Sequence, residues 1–586
     1  MELRAHPGAV MYRYIALSHA HFASNETRKQ QAKRLSALGL TTSKRAAGFT
    51  VFADSNVDVR ELPQGMLLLG EIYHRDGRRL DHDPQLARLS GPEALHGHLL
   101  AHYWGSYVLL QPRLEHERQS INVLREPSGG LGCAYSLAHG FITSDVSLAS
   151  QLGVYQPSVD WEFMAHCLAY PAGKISRTAL AGVHELLPGC CLEWDSSSGR
   201  TATAWSPGQF SRGAAPLTDP TSAAQAVRLA VTTVVQTMAQ SDVSLLLQLS
   251  GGLDSSIVGV SLKGVRARVS ACTVLSPLPG ADERPYALQI ASQLGVDLQE
   301  AHLSLAEAGV EVRLPGQALR PAVSPLAHAA ARAMDVQAER AQVNAIYSGG
   351  GGDTVFGYLK TAAPAADAFR AAGTAAGWLS VLDLTRLHGC TVTKAVWLTA
   401  KKLVTAPAAP YKQDNRFLFP PVAEPLELHP WLDLPSDLLP GMRERILDLA
   451  GNQMFEEVML RSDGRRIRMP LLSQPVMEAC LRVPSWFWIA GGRNRAVARD
   501  AFADRLPADI LHRRSKGSFM NYNAALYRRH KDRLRRFLLD GALHAHGLLD
   551  GDQLDAYFKR PLGSRDQSFL RIFELCTAEN FVRQRG

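Results

Sequence analysis

At 586 residues the chain is too long for one hydrophobic core, because single cores rarely grow past roughly 250–300 residues, so two or three domains are expected. Hydrophobic residues make up 46% and charged residues 20%, ordinary globular usage, which excludes a disordered or fibrous chain. A formal charge of +8 is modest for this length. It does not argue for nucleic acid and suits acidic small molecules or a peptide carboxylate.

The first residues, Met1-Glu-Leu-Arg-Ala-His-Pro, hold no apolar run of signal-peptide length, and no stretch of about 18 apolar residues follows. A cytoplasmic protein with no membrane partner is expected. The eight cysteines, at 133, 167, 190, 191, 272, 390, 480 and 576, show no Cys-x-x-Cys spacing, so they are expected to be reduced and structural rather than zinc ligands or disulfides. The histidines show no metal spacing either.

From Met11 to about Asp145, apolar and polar residues roughly alternate between turn signals. The runs Tyr12-Arg-Tyr-Ile-Ala-Leu, Gly65-Met-Leu-Leu-Leu-Gly, Tyr103-Trp-Gly-Ser-Tyr-Val-Leu-Leu, Ile121-Asn-Val-Leu-Arg and Phe141-Ile-Thr-Ser-Asp each fit a half-buried or buried strand. So many strands in so short a span imply packed sheets. Loop composition from Asp195 through Pro207 to Pro216 places a boundary near residue 210, giving a first domain over 1–210 and a second over 211–586. Beyond it, Asp219 or Thr221 can cap a helix carrying Val227, Val231, Val234, Val235 and Met238 at helical spacing. Strand, loop and helix then alternate through Val269–Leu275 and Asp282–Leu294, with Gly295 as a helix stop, which predicts a doubly wound parallel sheet. Residues 400–435, rich in Pro and Ala, read as a long excursion or lid.

Two glycine clusters carry the chemistry. In the first, the apolar run Leu245–Leu249 reads as a buried strand feeding a turn, Ser250-Gly251-Gly252-Leu253-Asp254-Ser255-Ser256, and a helix beginning near Ser255. Gly251 and Gly252 let backbone N–H groups point inward, Ser250, Ser255 and Ser256 add hydroxyls, and the helix offers its positive end, so the loop from Leu249 to Ser256 is built for phosphate. An acidic Asp254 beside polyphosphate is repulsive unless a divalent cation intervenes, which makes it a candidate Mg²⁺ ligand. No Gly-Lys-Ser or Gly-Lys-Thr occurs in the chain, so this is not the Walker pattern. In the second cluster, Ser348, Gly349 and Gly350 open a run of four glycines closed by Asp353. Four glycines place backbone within reach of a ligand that side chains would block, and Asp353 and Asp254 are expected to share one Mg²⁺.

The Ser-Gly-Gly-Leu-Asp-Ser-Ser stretch resembles the pyrophosphate loop of ATP pyrophosphatases. Together with Ser348–Tyr358, Arg468-Met-Pro-Leu-Leu-Ser-Gln-Pro and Arg513-Arg-Ser-Lys-Gly-Ser-Phe, it resembles the synthetase domain of the asparagine synthetase B family over roughly residues 215–586. Trp104-Gly-Ser-Tyr, Arg125-Glu-Pro-Ser-Gly and Thr143-Ser-Asp extend a weaker resemblance over the first domain. The resemblance implies an N-terminal-nucleophile (Ntn-hydrolase-like) glutaminase β-sandwich in front of an α/β ATP-pyrophosphatase domain with a helical C-terminal part, and ATP with Mg²⁺ as cofactors.

The departures select the substrate. The family's glutaminase needs an amino-terminal cysteine, yet residue 2 is Glu and the first cysteine is Cys133, so glutamine hydrolysis is expected to be absent. Gly350 stands where asparagine synthetases carry a glutamate that is a candidate base, and Ser473 where they carry aspartate. Chains with these features resemble the lasso-peptide macrolactam synthetases, in which an Asp or Glu side chain of a precursor core peptide is adenylated and the peptide α-amine then displaces AMP. An α-amine titrating near ~7.7–8 is already partly neutral in the cell and has less need of a strong base. The resemblance makes Lys516 the candidate that stabilises developing charge, and implies leader-binding and leader-cleaving maturation proteins as partners, with no nucleic acid. β-Lactam-type synthetases, an ammonia-dependent asparagine synthetase, a tRNA-modifying pyrophosphatase and a non-catalytic peptide-binding scaffold remain as alternatives.

Other conspicuous residues read more simply. Arg528, Arg529, Lys531, Arg533, Arg535 and Arg536 form the solvated face of a helix. Trp486-Phe-Trp reads as core, and Asp282 and Glu283 as charges at a helix start.

Overall fold

A computed structural model describes residues 12–585 apart from 22–24, 47, 90, 116–117, 196–197, 212–216, 218, 406–408, 460–464, 515 and 564. The amino-terminal residues on which the missing nucleophile was read, and part of the boundary loop, lie outside the described residues.

The alternating runs of the first half become strands of two six-stranded sheets with antiparallel pairing. One has the order His184–Glu185, Ala134–Ser136, Phe141–Thr143, Tyr14–Ser18, Phe49–Asp54, Leu40–Ala46. The other runs Gly199–Thr203, Cys190–Trp194, Arg118–Arg125, Tyr103–Glu115, Met66–His74, Val59–Leu62. Side chains alternate across a strand. Tyr14, Ala16, Leu67, Leu69, Val108 and Leu110 therefore fill one core shared by both sheets. Their neighbours Ile15, Leu17, Leu68 and Leu109 enter a larger core that continues into the second half. Burial on both faces explains why Met66–Leu69 and Val108–Leu110 depart from alternation and are continuously apolar.

In the second half, Asp219 caps the helix Pro220–Gln240 by accepting from Ser222 N at 2.7 Å, and Val227, Val231, Val234 and Val235 are fully buried. The helix leads into a five-stranded all-parallel sheet. Its order is Leu298–His302, Arg268–Leu275, Ser244–Gln248, Ala345–Ser348, Arg466–Arg468. From the central strand Ser244–Gln248 the chain first winds one way and then returns to wind the other, so the direction reverses between Ser244–Gln248 and Ala345–Ser348. In open parallel sheets that reversal opens a crevice at the strands' carboxyl ends. The pairing Gln248↔Ser348 brings both glycine clusters out of the sheet side by side.

The stretch expected to be an excursion or lid behaves otherwise. The helix Val392–Val404 occupies its start. The described part beyond it straps the first half, where Asp414 N donates to the Ala169 carbonyl at 2.8 Å, with Tyr411, Phe417, Leu418 and Trp431 buried. Proline and alanine content marks a lack of regular structure, but does not say which surface the segment covers. A buried ion cluster further joins the halves: Glu185 pairs with Arg125 (2.7 Å), Lys174 (3.2 Å) and Arg320, and Arg320 also reaches Glu457 at 2.9 Å. No helix among the described residues is long and apolar enough to cross a membrane.

Candidate active site

The first loop leaves its strand at Gln248 and becomes the helix Leu253–Ser261, two residues earlier than the sequence suggested. Leu249 and Leu253 are buried and anchor the loop, Leu249 through a 2.8 Å bond from its N–H to the Cys272 carbonyl. Gly251 sits at φ +65°, and a Cβ there would lie 2.5 Å from the Cβ of Tyr286, so both backbone shape and space require glycine. Ser250 and Ser255 share a hydroxyl contact at 3.1 Å, and Ser250 Oγ accepts from Gly252 N at 3.3 Å. Ser256 Oγ is fully buried and finds no partner among the described residues. A buried hydroxyl without a partner is expensive, and here it lies in the first turn of a helix whose N–H groups favour an anion.

The second loop explains its glycines differently from the expectation. Side chains there would collide with the protein itself before they met any ligand. A Cβ on Gly349 would come within 2.5 Å of Ser255 N, one on Gly350 within 2.5 Å of the Phe455 ring, one on Gly351 within 2.4 Å of Leu472, and one on Gly352 within 2.4 Å of Asp254 Cγ. Gly349 and Gly352 let the second loop press against the first, and Gly350 and Gly351 let Phe455 and Leu472 pack behind it. Ser348 Oγ accepts from Gly350 N at 3.2 Å, and a short helix, Gly352–Val355, then projects Asp353.

That packing brings Asp254 and Asp353 together. Both contact a single guanidinium nitrogen, Arg495 Nη1, at 2.9 Å from Asp254 Oδ1 and 2.6 Å from Asp353 Oδ1. The two carboxylates thus converge on one cation position. Burial pushes the Asp254 carboxyl up to about 6; Arg495 opposes the shift, and the like charge of Asp353 reinforces it. This donor set fits a divalent cation: two convergent carboxylate oxygens, at a position the Arg495 guanidinium fills here, beside the Gly251–Gly252 loop. Lys516 Nζ lies 3.3 Å from Asp353 Oδ2 with most of its side chain exposed, so it is free to swing toward a ligand.

Arg495 escaped sequence reasoning. It follows Gly491-Gly492-Arg493-Asn494, which reads as a basic turn. Only the fold carries it across to the glycine loops, where it adopts φ +54°, uncommon for a residue with a side chain. Its guanidinium carbon also lies 5.4 Å from the Tyr358 ring centre. A second missed link is Arg513, which donates to the Gly251 carbonyl at 3.0 Å and to Glu283 Oε1 at 2.6 Å. Glu283 also accepts from Gly517 N at 3.0 Å. It is therefore a buried tie between the phosphate loop and the Lys516 loop rather than a simple helix-start charge. Asp282, by contrast, is exposed and pairs with Arg284. Ser515 of the same motif lies outside the described residues.

The other sequence readings resolve simply. Trp488 is fully buried, and Arg533 and Arg535 of the basic helix pair with Glu311 and Asp555 on the surface. The eight cysteines are free, and no cluster of three or more His, Cys, Asp or Glu side chains suited to a metal occurs among the described residues.

Two glycine loops thus meet at the reversal point of a parallel sheet and hold a convergent carboxylate pair between them. The family model described as asparagine synthase matches residues 226–582, and the chain belongs to that family. A search of curated proteins finds no match. Among solved structures, glutamine phosphoribosylpyrophosphate amidotransferase from B. subtilis, complexed with ADP and GMP, is similar at 10% identity with a TM-score of 0.20, over 50% of this chain and 65% of that one. The chain thus spans less than two thirds of that structure's length, and a likeness so slight carries no argument.

Proposed function

We propose that the chain is a lasso-peptide cyclase. A side-chain oxygen of an Asp or Glu in a precursor core peptide attacks the α-phosphorus of ATP, the bond to the β-phosphate breaks, and pyrophosphate leaves. The α-amine of the same peptide then attacks the acyl carbon, loses a proton, and expels AMP. The net change in the peptide is the loss of one water.

The observation that carries this reading is the convergence of Asp254 and Asp353 on one cation position beside the Leu249–Ser256 loop. Those two carboxylates would hold Mg²⁺, which neutralises phosphate charge when bound. Ser250, Gly251, Gly252, Ser255 and Ser256 would cradle the departing pyrophosphate, with Ser348 to Gly350 on the facing side. Lys516 would meet the charge that develops as the acyl centre becomes tetrahedral. Two further features favour a peptide amine over ammonia drawn from glutamine. Gly350 is backed by Phe455 and Met469 at distances that leave no room for an acidic side chain in its present setting, so no carboxylate base stands there. Cys133 is buried and burial pushes its thiol up to about 11, the opposite of an activated nucleophile. An α-amine supplies its own neutral fraction, and orientation of the folded peptide supplies much of the rate. A leader-cleaving peptidase and a leader-binding protein are the partners this chemistry requires, since the amine must first be freed.

The test is incubation with ATP, Mg²⁺ and linear core peptides bearing an internal Asp or Glu. A peptide lighter by one water, formed together with AMP, supports the reading. AMP released with free aspartate and ammonia would replace it with an asparagine synthetase.

A further inference from the structure

Arg466 and Arg468 alternate on the edge strand Arg466–Arg468, so both side chains leave one face. Both end on one carboxylate of the first half, Glu71: Arg466 Nη1 lies 2.6 Å from Oε1 and Arg468 Nη1 2.8 Å from Oε2. Burial alone would raise the Glu71 carboxyl, yet these guanidiniums hold it well below the usual carboxylate range. Arg468 Nε also reaches Asp242 Oδ2 at 2.7 Å, and Asp242 accepts the hydroxyl of Tyr347, the residue before Ser348, at 2.7 Å. Further on, Gln474 N donates to Ser128 Oγ at 2.9 Å, and Arg75 holds Glu478 at 2.6 Å.

Between these anchors lie Met469 and Leu472, the side chains pressed against Gly350 and Gly351. On their other side is a cavity of about 220 Å³ between the halves, which Arg466, Arg468, Met469 and Leu472 all line. The strand of this segment pairs with Ala345–Tyr347, and its Leu471 and Val476 are fully buried. On the cavity side the ion pairs to the first half are what tether it.

We propose that Glu71 is a positioning residue: through Arg466 and Arg468 it fixes the segment 466–478 beneath the glycine loop, and so fixes Asp353 relative to Asp254. The first half serves as this support. The proposal rests on reading the loops as a Mg²⁺–ATP site.

The test uses the full chain and measures Mg²⁺–ATP affinity by calorimetry and amide exchange over residues 349–354. Glu71→Gln leaves Arg466 facing a neutral amide while Arg468 keeps Asp242. It is expected to weaken binding roughly two- to thirty-fold and to speed exchange in the loop. Ser128→Ala, which removes the Gln474 contact and a hydroxyl bond to Glu126 but leaves both arginines on Glu71, gives a smaller change in the same direction. Ile121→Val, a mild core change in the first half, lowers Tm and moves neither readout. Folded Glu71→Gln protein with parental affinity and exchange overturns the proposal, as does an equal loss of affinity in Ile121→Val. A parent chain that binds no Mg²⁺–ATP overturns instead the reading of the site on which the proposal stands.

Discussion

Gly352→Ala isolates the packing of one loop against the other. Gly352 has an ordinary backbone conformation, so the substitution adds little strain of its own. Its new Cβ would lie 2.4 Å from Asp254 Cγ and 2.5 Å from Asp254 Cβ, about 1 Å inside van der Waals contact. Something must move by that amount, and the atoms struck belong to a proposed metal ligand. Metal–ligand distances tolerate only about 0.2 Å, and a 1 Å misplacement at a reacting centre costs on the order of 100-fold. Overpacking costs about 1–3 kcal/mol of stability, which should leave the chain folded. Pyrophosphate release is therefore expected to fall about 100-fold, with a raised Mg²⁺ requirement and a modest drop in Tm. Gly351→Ala is the contrast: at φ +81° and 2.4 Å from Leu472 it should cost stability first. Folded Gly352→Ala with near-parental release and Mg²⁺ dependence would refute the idea that the two loops jointly shape the cation site.

Other outcomes follow from the same contacts. Because the Asp254 carboxyl is pushed up to about 6, Mg²⁺ affinity should fall about tenfold per pH unit below 6, and titrations across that range check it. The sign for stability is the reverse. A carboxyl raised above its ordinary value favours folding fully below pH about 4 and loses that contribution, about 3 kcal/mol, as pH rises through 6, so Asp254→Asn should flatten the metal-free Tm over this window relative to the parent. Lys516→Gln should leave Tm nearly unchanged, since an exposed pair is worth about 0–1 kcal/mol, while slowing AMP formation. Equal rates would remove Lys516 from the mechanism. Glu185→Gln should cost about 3–5 kcal/mol in chemical denaturation, because it leaves Arg125, Lys174 and Arg320 buried around a neutral group.

How much of this was legible depended on how local the cause is. The strand, turn and helix around Asp254 lie within a dozen residues, and apolar runs punctuated by glycine and serine declare them. Alternating strands and helices implied a parallel sheet, but not that Gln248 would sit beside Ser348. Arg495 was not legible, because its partner Asp254 lies 241 residues away and no local pattern links them. The true constraint on Gly350 and Gly351 was hidden for the same reason: Phe455 and Leu472 arrive from about a hundred residues downstream. Glu71 lies just past the apolar run Gly65–Gly70 and carries no local signal, and only the tertiary fold shows it holding two arginines of the other half.

The central claim is that a peptide carboxylate is activated by transfer to the α-phosphate of ATP. It is tested most directly by placing heavy oxygen in the side-chain carboxylate of a linear core peptide and following the label. The account predicts one heavy oxygen in the phosphate of each AMP formed, alongside the ring-closed peptide. Label recovered in inorganic phosphate with ADP as the nucleotide product would contradict it.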